Sequence, residues 1–111
     1  MNKQLILVCE RLDWNVEILK NDVQLSKFSP AGEDFFFTVD KQNFLTEIIN
    51  YAENFDADEH AEMWVKCMDS VKGVPQSIRT LIEDADAIKE MLLELAEKLT
   101  IRSKKLCKIY K

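Results

Sequence analysis

Three short apolar runs with an alternating pattern fill the stretch from residue 14 to residue 40, WNVEILKNDVQLSKFSPAGEDFFFTVD. In the last run Phe35, Phe37 and Val39 share one face, and Phe36 and Thr38 lie on the opposite face. Successive side chains of a β-strand point to opposite faces, so this alternation predicts half-buried strands. Turn-forming residues separate the runs at Asn21–Asp22 and Ser29–Gly32. The stretch therefore predicts a three-stranded antiparallel meander.

Helical periodicity lies on both sides of this stretch. Before it, the segment from Leu5 to Leu12 fits either a helical stripe or a buried strand, and we favour a helix. After it, apolar residues recur every three or four positions from Phe44 to Phe55, with Asp40 as the expected N-cap. A further helix is expected to begin near Asp56 and to end at Gly73–Pro75.

The last predicted helix is too long for a compact domain of this size. It begins at Ser77, and one apolar stripe continues from Ile78 to Leu99. If the helix runs unbroken to Tyr110, it is about 50 Å long, whereas the radius of gyration of such a domain is about 13 Å. The helix therefore either protrudes or breaks, and capping residues for a break are present at Asp84–Asp86.

Together these elements predict an α+β fold with an N-terminal helix, a three-stranded antiparallel meander and a helical C-terminal half packed on the sheet. With 111 residues the chain can bury one core. We expect a single compact domain over residues 1–99, followed by a basic helical extension or tail over residues 100–111. The expected core contains Trp14, Phe35, Phe37, Phe44, Ile48, Trp64, Leu81 and Leu92.

Charge is segregated along the chain, whose net charge is -5. Residues 33–62 contain nine acidic residues and a single base, Lys41, whereas residues 98–111 contain six bases and no acid. A surface dominated by one sign of charge attracts partners of the opposite sign. We therefore expect a protein partner with a basic surface. The expected partner-binding residues are Glu33, Asp34, Phe36, Asp56, Asp58, Glu59 and Glu62.

Phe36 belongs to this set because of its place in the last strand. If Phe35 and Phe37 enter the core, Phe36 points to the opposite face of the sheet. There it is either covered by the N-terminal helix, as in many layered domains, or exposed as an aromatic anchor for a partner. The sequence leaves both alternatives open.

The basic tail has several possible roles. It could contact nucleic acid or a membrane electrostatically, but cations are also favoured at the C-terminus of any helix. It could equally fold against the acidic helices of its own or a neighbouring copy, so a homodimer is possible. Because the acidic excess of the chain repels a duplex, we expect no sequence-specific nucleic-acid binding. We also expect no membrane partner. The tail residues in question are Arg102, Lys104, Lys105 and Lys108.

Catalytic and metal-binding patterns are weak. His60 is the only histidine, and the acidic segment around it has Ala61 where a calcium loop needs glycine. A two-histidine zinc motif is equally excluded. A thiol enzyme needs a base beside its cysteine, but Cys67 is seven residues away, about 10 Å along a helix. We expect no catalytic residue, no metal and no cofactor. The alternatives are a small metal-dependent or thiol enzyme using His60, or a homodimeric regulatory or scaffold domain.

Cysteine usage and the N-terminus predict a cytoplasmic protein. Three cysteines, an odd number, are spaced widely along the chain, as is usual for reduced thiols. The apolar run at residues 5–9 is too short for a signal-peptide core or a membrane span.

Three stretches of the chain resemble a family of small acidic proteins. They are SPAGEDF at residues 29–35, FDADEHAEMW at residues 55–64 and GVP at residues 73–75. The family is predicted from bacterial plasmids, phages and conjugative elements, and it lacks an assigned activity. The resemblance covers roughly residues 14–99, and the basic tail departs from it. It implies an accessory protein of a mobile element, and such proteins are often inhibitors of host defence, of the anti-CRISPR or antirestriction type. We therefore expect a non-catalytic inhibitor that binds a host nucleic-acid-processing defence enzyme.

Overall fold

The computed structural model describes residues 2–67 and 78–110. Its element order confirms the α+β class, with an N-terminal helix, a three-stranded antiparallel sheet and further helices packed on it. The expected helix end at Gly73–Pro75 and the expected helix start at Ser77 lie outside the described residues. In chain order, the elements are α1 (Lys3–Arg11), β1 (Asn15–Ile18), β2 (Asp22–Phe28), β3 (Asp34–Asp40), α2 (Phe44–Asn54), α3 (Ala57–Cys67) and α4 (Ile78–Tyr110).

The sheet has the strand order β1-β2-β3, and both pairs are antiparallel. Val16 pairs with Leu25, and Leu25 pairs with Phe37, so these three side chains lie side by side on one face. Along β3, Phe35, Phe37 and Val39 are buried, whereas the residues between them are exposed. The alternation in the sequence therefore corresponds to a sheet with one buried face and one open face.

Helix α1 ends in a Schellman motif, and this confirms the helical interpretation of the N-terminal segment. The amide of Trp14 donates to the carbonyl of Cys9 at 3.0 Å, and the amide of Asp13 donates to the carbonyl of Glu10 at 3.0 Å. Asp13 adopts the left-handed conformation, with φ 68°, that the motif requires directly after the C-cap. Glycine is the usual residue at this position, but aspartate also tolerates it.

Helix α2 begins later than the sequence suggested. Asn43 occupies the N-cap position, and Asp40 is the last residue of β3. The carboxylate of Asp40 accepts hydrogen bonds from the amide of Gln42 at 3.0 Å and from the side chain of Asn43 at 3.0 Å. The prediction of Asp40 as the N-cap is wrong because its side chain closes the turn between β3 and α2 instead.

One hydrophobic core joins the buried face of the sheet to α1, α2 and α4. Seven of the eight predicted core residues are buried, and Trp64 is the exception because it is only half-buried. Helix α3 packs against α4, and Ala61, three positions before Trp64, is buried in this helix. The core cluster consists of Cys9, Trp14, Val23, Leu25, Phe35, Phe37, Val39, Phe44, Ile48, Ala52, Ile88, Leu92, Leu95, Ala96 and Leu99.

The opposite face of the sheet is open. Phe36 is 60% exposed, and Phe28, its diagonal neighbour across β2 and β3, is 65% exposed. The alternative in which the N-terminal helix covers Phe36 is wrong, because Cys9 of α1 is buried in the same core as α2 and α4. The apolar side of α1 therefore faces the core side of the sheet, and Phe36 as a partner anchor stays a prediction.

Helix α4 is continuous over 33 residues and gives the molecule a longest dimension of 54 Å. The alternative of a break at Asp84–Asp86 is wrong. Asp84 lies within α4 and is buried. Its carboxylate accepts hydrogen bonds from groups of the β2–β3 turn instead of capping a helix end. Within the described ranges, neither α4 nor any other helix has the combined length and hydropathy of a membrane-crossing segment.

Because one face of the sheet is buried and the other is open, replacing neighbouring phenylalanines should lower stability by unequal amounts. We expect Phe37→Ala to lower the free energy of unfolding by about 3–5 kcal/mol, because it removes a buried ring. The matched change Phe36→Ala is expected to alter it by no more than about 0.5 kcal/mol, because that ring is largely exposed. Urea unfolding followed by circular dichroism measures both, and equal costs would show that both faces are buried.

The buried thiol of Cys9 predicts a dependence of stability on alkaline pH. Burial, together with the charge of Glu10, raises the pKa of Cys9 from 9.0 to about 12. The folded protein therefore holds this proton more tightly than the unfolded chain does. The resulting stabilisation is complete below pH 9 and is lost as the pH rises from about 9 to about 12.

We therefore expect the free energy of unfolding of the unmodified protein to fall more steeply across this pH range than that of Cys9→Ala. Urea titrations at several pH values measure the two slopes. Below about pH 8 the two curves should run parallel, since the thiol is protonated in both states. Parallel curves above pH 9 would contradict the prediction.

Candidate functional site

A cleft of about 760 Å³ lies between β3, α2 and α3. We call it the acidic groove. Strand β3 forms one wall, α2 and α3 form the others, and the short connection between the two helices closes one end. The lining residues are Thr38, Val39, Glu47, Asn50, Tyr51, Asn54, Phe55, Asp56, Glu59, His60, Glu62, Met63 and Lys66.

Helical periodicity explains which residues line the groove. On α2, Glu47, Asn50 and Asn54 recur every three or four positions and so share one face. On α3 the same spacing relates Glu59, Glu62, Met63 and Lys66. Each helix therefore turns one face toward the sheet or toward α4 and a neighbouring, more polar face toward the groove.

The carboxylates of the groove differ in how they are engaged. Asp56 accepts a hydrogen bond from the amide of Glu59 at 3.1 Å, as the N-cap of α3. Glu47 accepts one from the amide of Asp40 at 2.7 Å. The exposed carboxylates of Glu59 and Glu62 have no ion-pair partner within the residues that the structure describes. Four acidic side chains and one base thus give the groove a negative potential.

His60 is fixed at the inner end of the groove by Glu33. Its Nε2–H group donates to the two carboxylate oxygens of Glu33 at 2.9 and 3.1 Å. The two side chains are only 13% and 17% exposed, respectively. The imidazole ring also lies 5.3 Å from the ring of Phe55 and 5.9 Å from that of Phe35. This contact attaches α3 to the β2–β3 turn and holds the imidazole in one orientation.

The position of Glu33 depends in turn on a buried acid of α4. Asp84, which is 7% exposed, accepts a hydrogen bond from the hydroxyl of Ser29 at 2.6 Å and another from the amide of Ala31 at 2.9 Å. The hydroxyl oxygen of Ser29 accepts a hydrogen bond from the amide of Glu33 at 3.0 Å. Gly32 completes the turn with φ 97°, a left-handed conformation that glycine adopts without strain.

The aromatic rings of Tyr51 and Phe55 form the floor of the groove, and each contacts a buried phenylalanine of β3. Tyr51 is stacked on Phe37, with centroids 4.4 Å apart and an interplanar angle of 13°. Phe35 meets Phe55 edge to face at 5.7 Å. Burial, and secondarily the charge of Glu33, raises the pKa of Tyr51, so its hydroxyl stays protonated at neutral pH. The groove thus combines an apolar floor with acidic walls.

The structure brings together only part of the predicted partner-binding set. Three of its members, Asp56, Glu59 and Glu62, line the groove. Glu33 does not line it but binds the groove residue His60. Three other members lie elsewhere. Asp34 is exposed at the start of β3, Phe36 lies on the open face of the sheet, and Asp58 is exposed outside the groove lining.

The predicted tail residues belong to the last turns of α4. Arg102 donates to the side-chain oxygen of Gln4 at 2.6 Å, which ties the tail to the start of α1. Lys104 and Lys105 are exposed, and the side chain of Lys108 lies outside what the structure describes.

Several groove residues were missed by sequence reasoning, namely Thr38, Glu47, Asn50, Tyr51, Asn54, Met63 and Lys66. A signal was available on α2 and α3, where polar residues at helical spacing flank the apolar stripes. The pairing of His60 with Glu33 had no such signal, because 27 residues separate the partners. Only the tertiary fold brings these two side chains together.

Chemistry that depends on a thiol or a metal finds little support among the described residues. Cys9 lies in the core and its raised pKa keeps it protonated, so it cannot serve as a thiolate nucleophile. The side chain of Cys67 lies outside the described part of the chain. In the ranges 2–67 and 78–110, no group of three His, Cys, Asp or Glu side chains is arranged as a metal site. The enzyme alternative using His60 stays a prediction.

Comparisons with protein-family models, with curated proteins and with solved structures found no significant match to this chain.

The contact between Asp84 and Ser29 predicts coupled losses of stability. We expect Asp84→Ala to cost about 2–4 kcal/mol, because it strands a buried hydroxyl and an amide, and Ser29→Ala to cost about 1–2 kcal/mol. The double variant should cost about 1–2 kcal/mol less than the sum of the two single variants, because both changes remove the same hydrogen bond.

Urea unfolding of the four proteins in this cycle measures the coupling. Asp86→Ala is the matched control, since Asp86 is an exposed acid on the same helix, and we expect it to cost no more than about 0.5 kcal/mol. Strictly additive costs for Asp84→Ala and Ser29→Ala would show that the two side chains act independently.

Proposed function

We propose that this protein is a non-catalytic binding protein whose acidic groove engages a basic segment of a partner protein. The observation that carries the proposal is the groove itself, with four acidic side chains, one lysine and an aromatic floor. Two of its carboxylates, those of Glu59 and Glu62, are exposed and unpaired within the described residues. Carboxylates in this state are available to bind cationic side chains.

The energetics favour several weak contacts acting together. An exposed pair between a carboxylate and a lysine or arginine contributes about 0.2–1 kcal/mol. Three such pairs together contribute about 0.6–3 kcal/mol, which changes affinity by roughly threefold to 160-fold, and apolar contact with the floor adds to this. Because salt screens exposed charges, with a Debye length of about 10 Å at 0.1 M, binding should weaken as salt rises.

The finer proposal concerns the class of partner. Enzymes that process nucleic acids have basic channels that accommodate phosphates, and clustered carboxylates present a similar charge to such a channel. We propose that the partner is a host nucleic-acid-processing defence enzyme, and that the protein is an accessory factor of a mobile element that inhibits it in the cytoplasm. The acidic groove and the resemblance to small acidic proteins of mobile elements support this proposal.

Neutralising the groove should weaken partner capture. In the test, the immobilised protein is exposed to host-cell lysate at low salt and eluted with rising salt, and bound proteins are identified by mass spectrometry. The variant Asp56→Asn, Glu59→Gln, Glu62→Gln removes three groove charges and keeps a good N-cap residue at position 56. We expect the captured basic protein to bind this variant about tenfold more weakly or worse.

A matched control changes the same number of charges elsewhere. Glu90, Glu94 and Glu97 are exposed on α4 and do not line the groove, so their replacement by glutamine should leave capture intact. Equal capture by the groove variant, or equal loss in the control, would contradict a groove-specific role. Capture that persists in high salt would contradict the electrostatic basis of the proposal.

A further inference from the structure

Strand β3 is an edge strand, because the sheet order is β1-β2-β3. Its pairing with β2 fixes which backbone groups face the free edge. The amide of Ser29 donates to the carbonyl of Glu33 at one end of the ladder, and the amide of Lys41 donates to the carbonyl of Asn21 at the other. Both are pairs of odd-numbered residues. In an antiparallel ladder, bonded and non-bonded pairs alternate.

It follows that Phe35, Phe37 and Val39 direct their backbone groups toward β2. The even-numbered residues of β3 direct their amides and carbonyls away from β2. The structure contains an independent sign of this, because the amide of Asp40 donates to Glu47 on α2 at 2.7 Å. For Phe36 and Thr38, no bond to a group beyond the sheet occurs in the described residues. Among residues 2–67 and 78–110, the middle of the strand is therefore an unpaired edge, which can accept another strand.

This edge runs beside the acidic groove. Thr38 and Val39 belong to the groove lining, so the same segment of β3 forms both the free edge and one wall. A strand added to that edge lies about 4.8 Å away, and its side chains alternate between the two faces of the sheet. One set then points toward the groove acids, and the other lies on the open face beside Phe36.

We propose that the partner's segment binds as a fourth, extended strand on the free edge of β3, with basic side chains in the groove alternating with apolar side chains beside Phe36. This inference rests on the proposed function and specifies how the same groove recognises its partner. Strand addition supplies affinity through main-chain hydrogen bonds, and the pockets for alternate side chains supply specificity.

Charge decides between a basic segment and a second copy of β3 as the occupant. Strand β3 has the sequence DFFFTVD and begins and ends with an aspartate. Only even-numbered residues have free backbone groups on either copy, so two fully overlapping β3 strands would place Asp34 of each opposite Asp40 of the other. Like charges directly opposite each other are destabilising. A strand carrying lysine or arginine at every second position instead places cations beside the groove acids.

The experiment uses the full-length protein and synthetic octapeptides with blocked ends, measured by isothermal titration calorimetry at low salt. The parent peptide alternates lysine and valine. A block peptide has the same composition with four lysines followed by four valines. In two further peptides the backbone nitrogens are methylated, on the valines in one and on the lysines in the other.

We expect the parent peptide to bind at least about tenfold more tightly than the block peptide. One of the two methylated peptides should lose about tenfold in affinity, because the amides that face β3 can no longer donate, while the other binds like the parent. Loss through the valine amides indicates an antiparallel added strand, and loss through the lysine amides indicates a parallel one.

Hydrogen exchange measured by NMR provides a second readout. The amides of Phe36 and Thr38 should exchange more slowly when the parent peptide is bound, while those of Phe35 and Phe37 are protected already. The variant Thr38→Pro removes an edge amide that makes no ladder bond and should weaken binding. Thr38→Val, which keeps the amide, should bind more tightly than Thr38→Pro.

The outcomes separate this inference from the proposed function. If both methylated peptides bind like the parent and the exchange of Phe36 and Thr38 is unchanged, strand addition is overturned. If peptide binding is then still lost in the groove-neutralised variant, the acidic groove stands as the binding site. If neither the parent nor the block peptide binds, the groove and the strand mode are both overturned.

Discussion

The buried carboxylate of Asp84 is the contact on which the arrangement of the site depends. Apolar stripes hold α4 against the sheet, but apolar contact has no direction and sets no register along the helix. The hydrogen bonds of Asp84 with Ser29 and Ala31 are directional, and they join α4 to the β2–β3 turn at one position. A carboxylate buried at 7% exposure requires such partners, because an unbonded one is costly.

Two further hydrogen-bonding contacts connect this contact to α3. The oxygen of Ser29 binds the amide of Glu33, and the carboxylate of Glu33 binds His60. The outer helix is thereby attached to the sheet by polar bonds, although it packs mainly against α4. The width of the acidic groove, which lies between β3 and α3, follows from the position of this helix. A core acid of α4 thus controls the shape of a surface some distance from it.

The sequence predicts the strands better than their surroundings, and the reason is the range of the interactions. Alternation in β3 is local, so the burial of Phe35 and Phe37 and the outward direction of Phe36 follow from spacing alone. The end of α1 is local too, yet its Schellman motif uses Asp13 in place of glycine and gave no signal. The sequence predicted Asp84 as a possible capping residue. Its true hydrogen-bonding partners lie more than fifty residues away, so no local pattern indicates them. Glu33 and His60 are also far apart in sequence, so neither their contact nor the inner end of the groove could be predicted from local patterns.

Counting acids along the chain overstates the charge that is available for recognition, because the carboxylates are not equivalent. Asp84 is enclosed and its oxygens are occupied, so it contributes to the fold and not to the surface. Asp56 and Glu47 each accept one backbone amide and keep their negative charge at the groove wall. Glu59 and Glu62 are exposed, and neither carboxylate has an ion-pair partner in the described part of the chain. A cation that enters the groove displaces only water from these two side chains, whereas at Asp56 or Glu47 it must share an oxygen that already accepts a hydrogen bond. The unpaired glutamates of α3 should therefore set the strength of cation binding, and the other two acids should set the potential that attracts the cation.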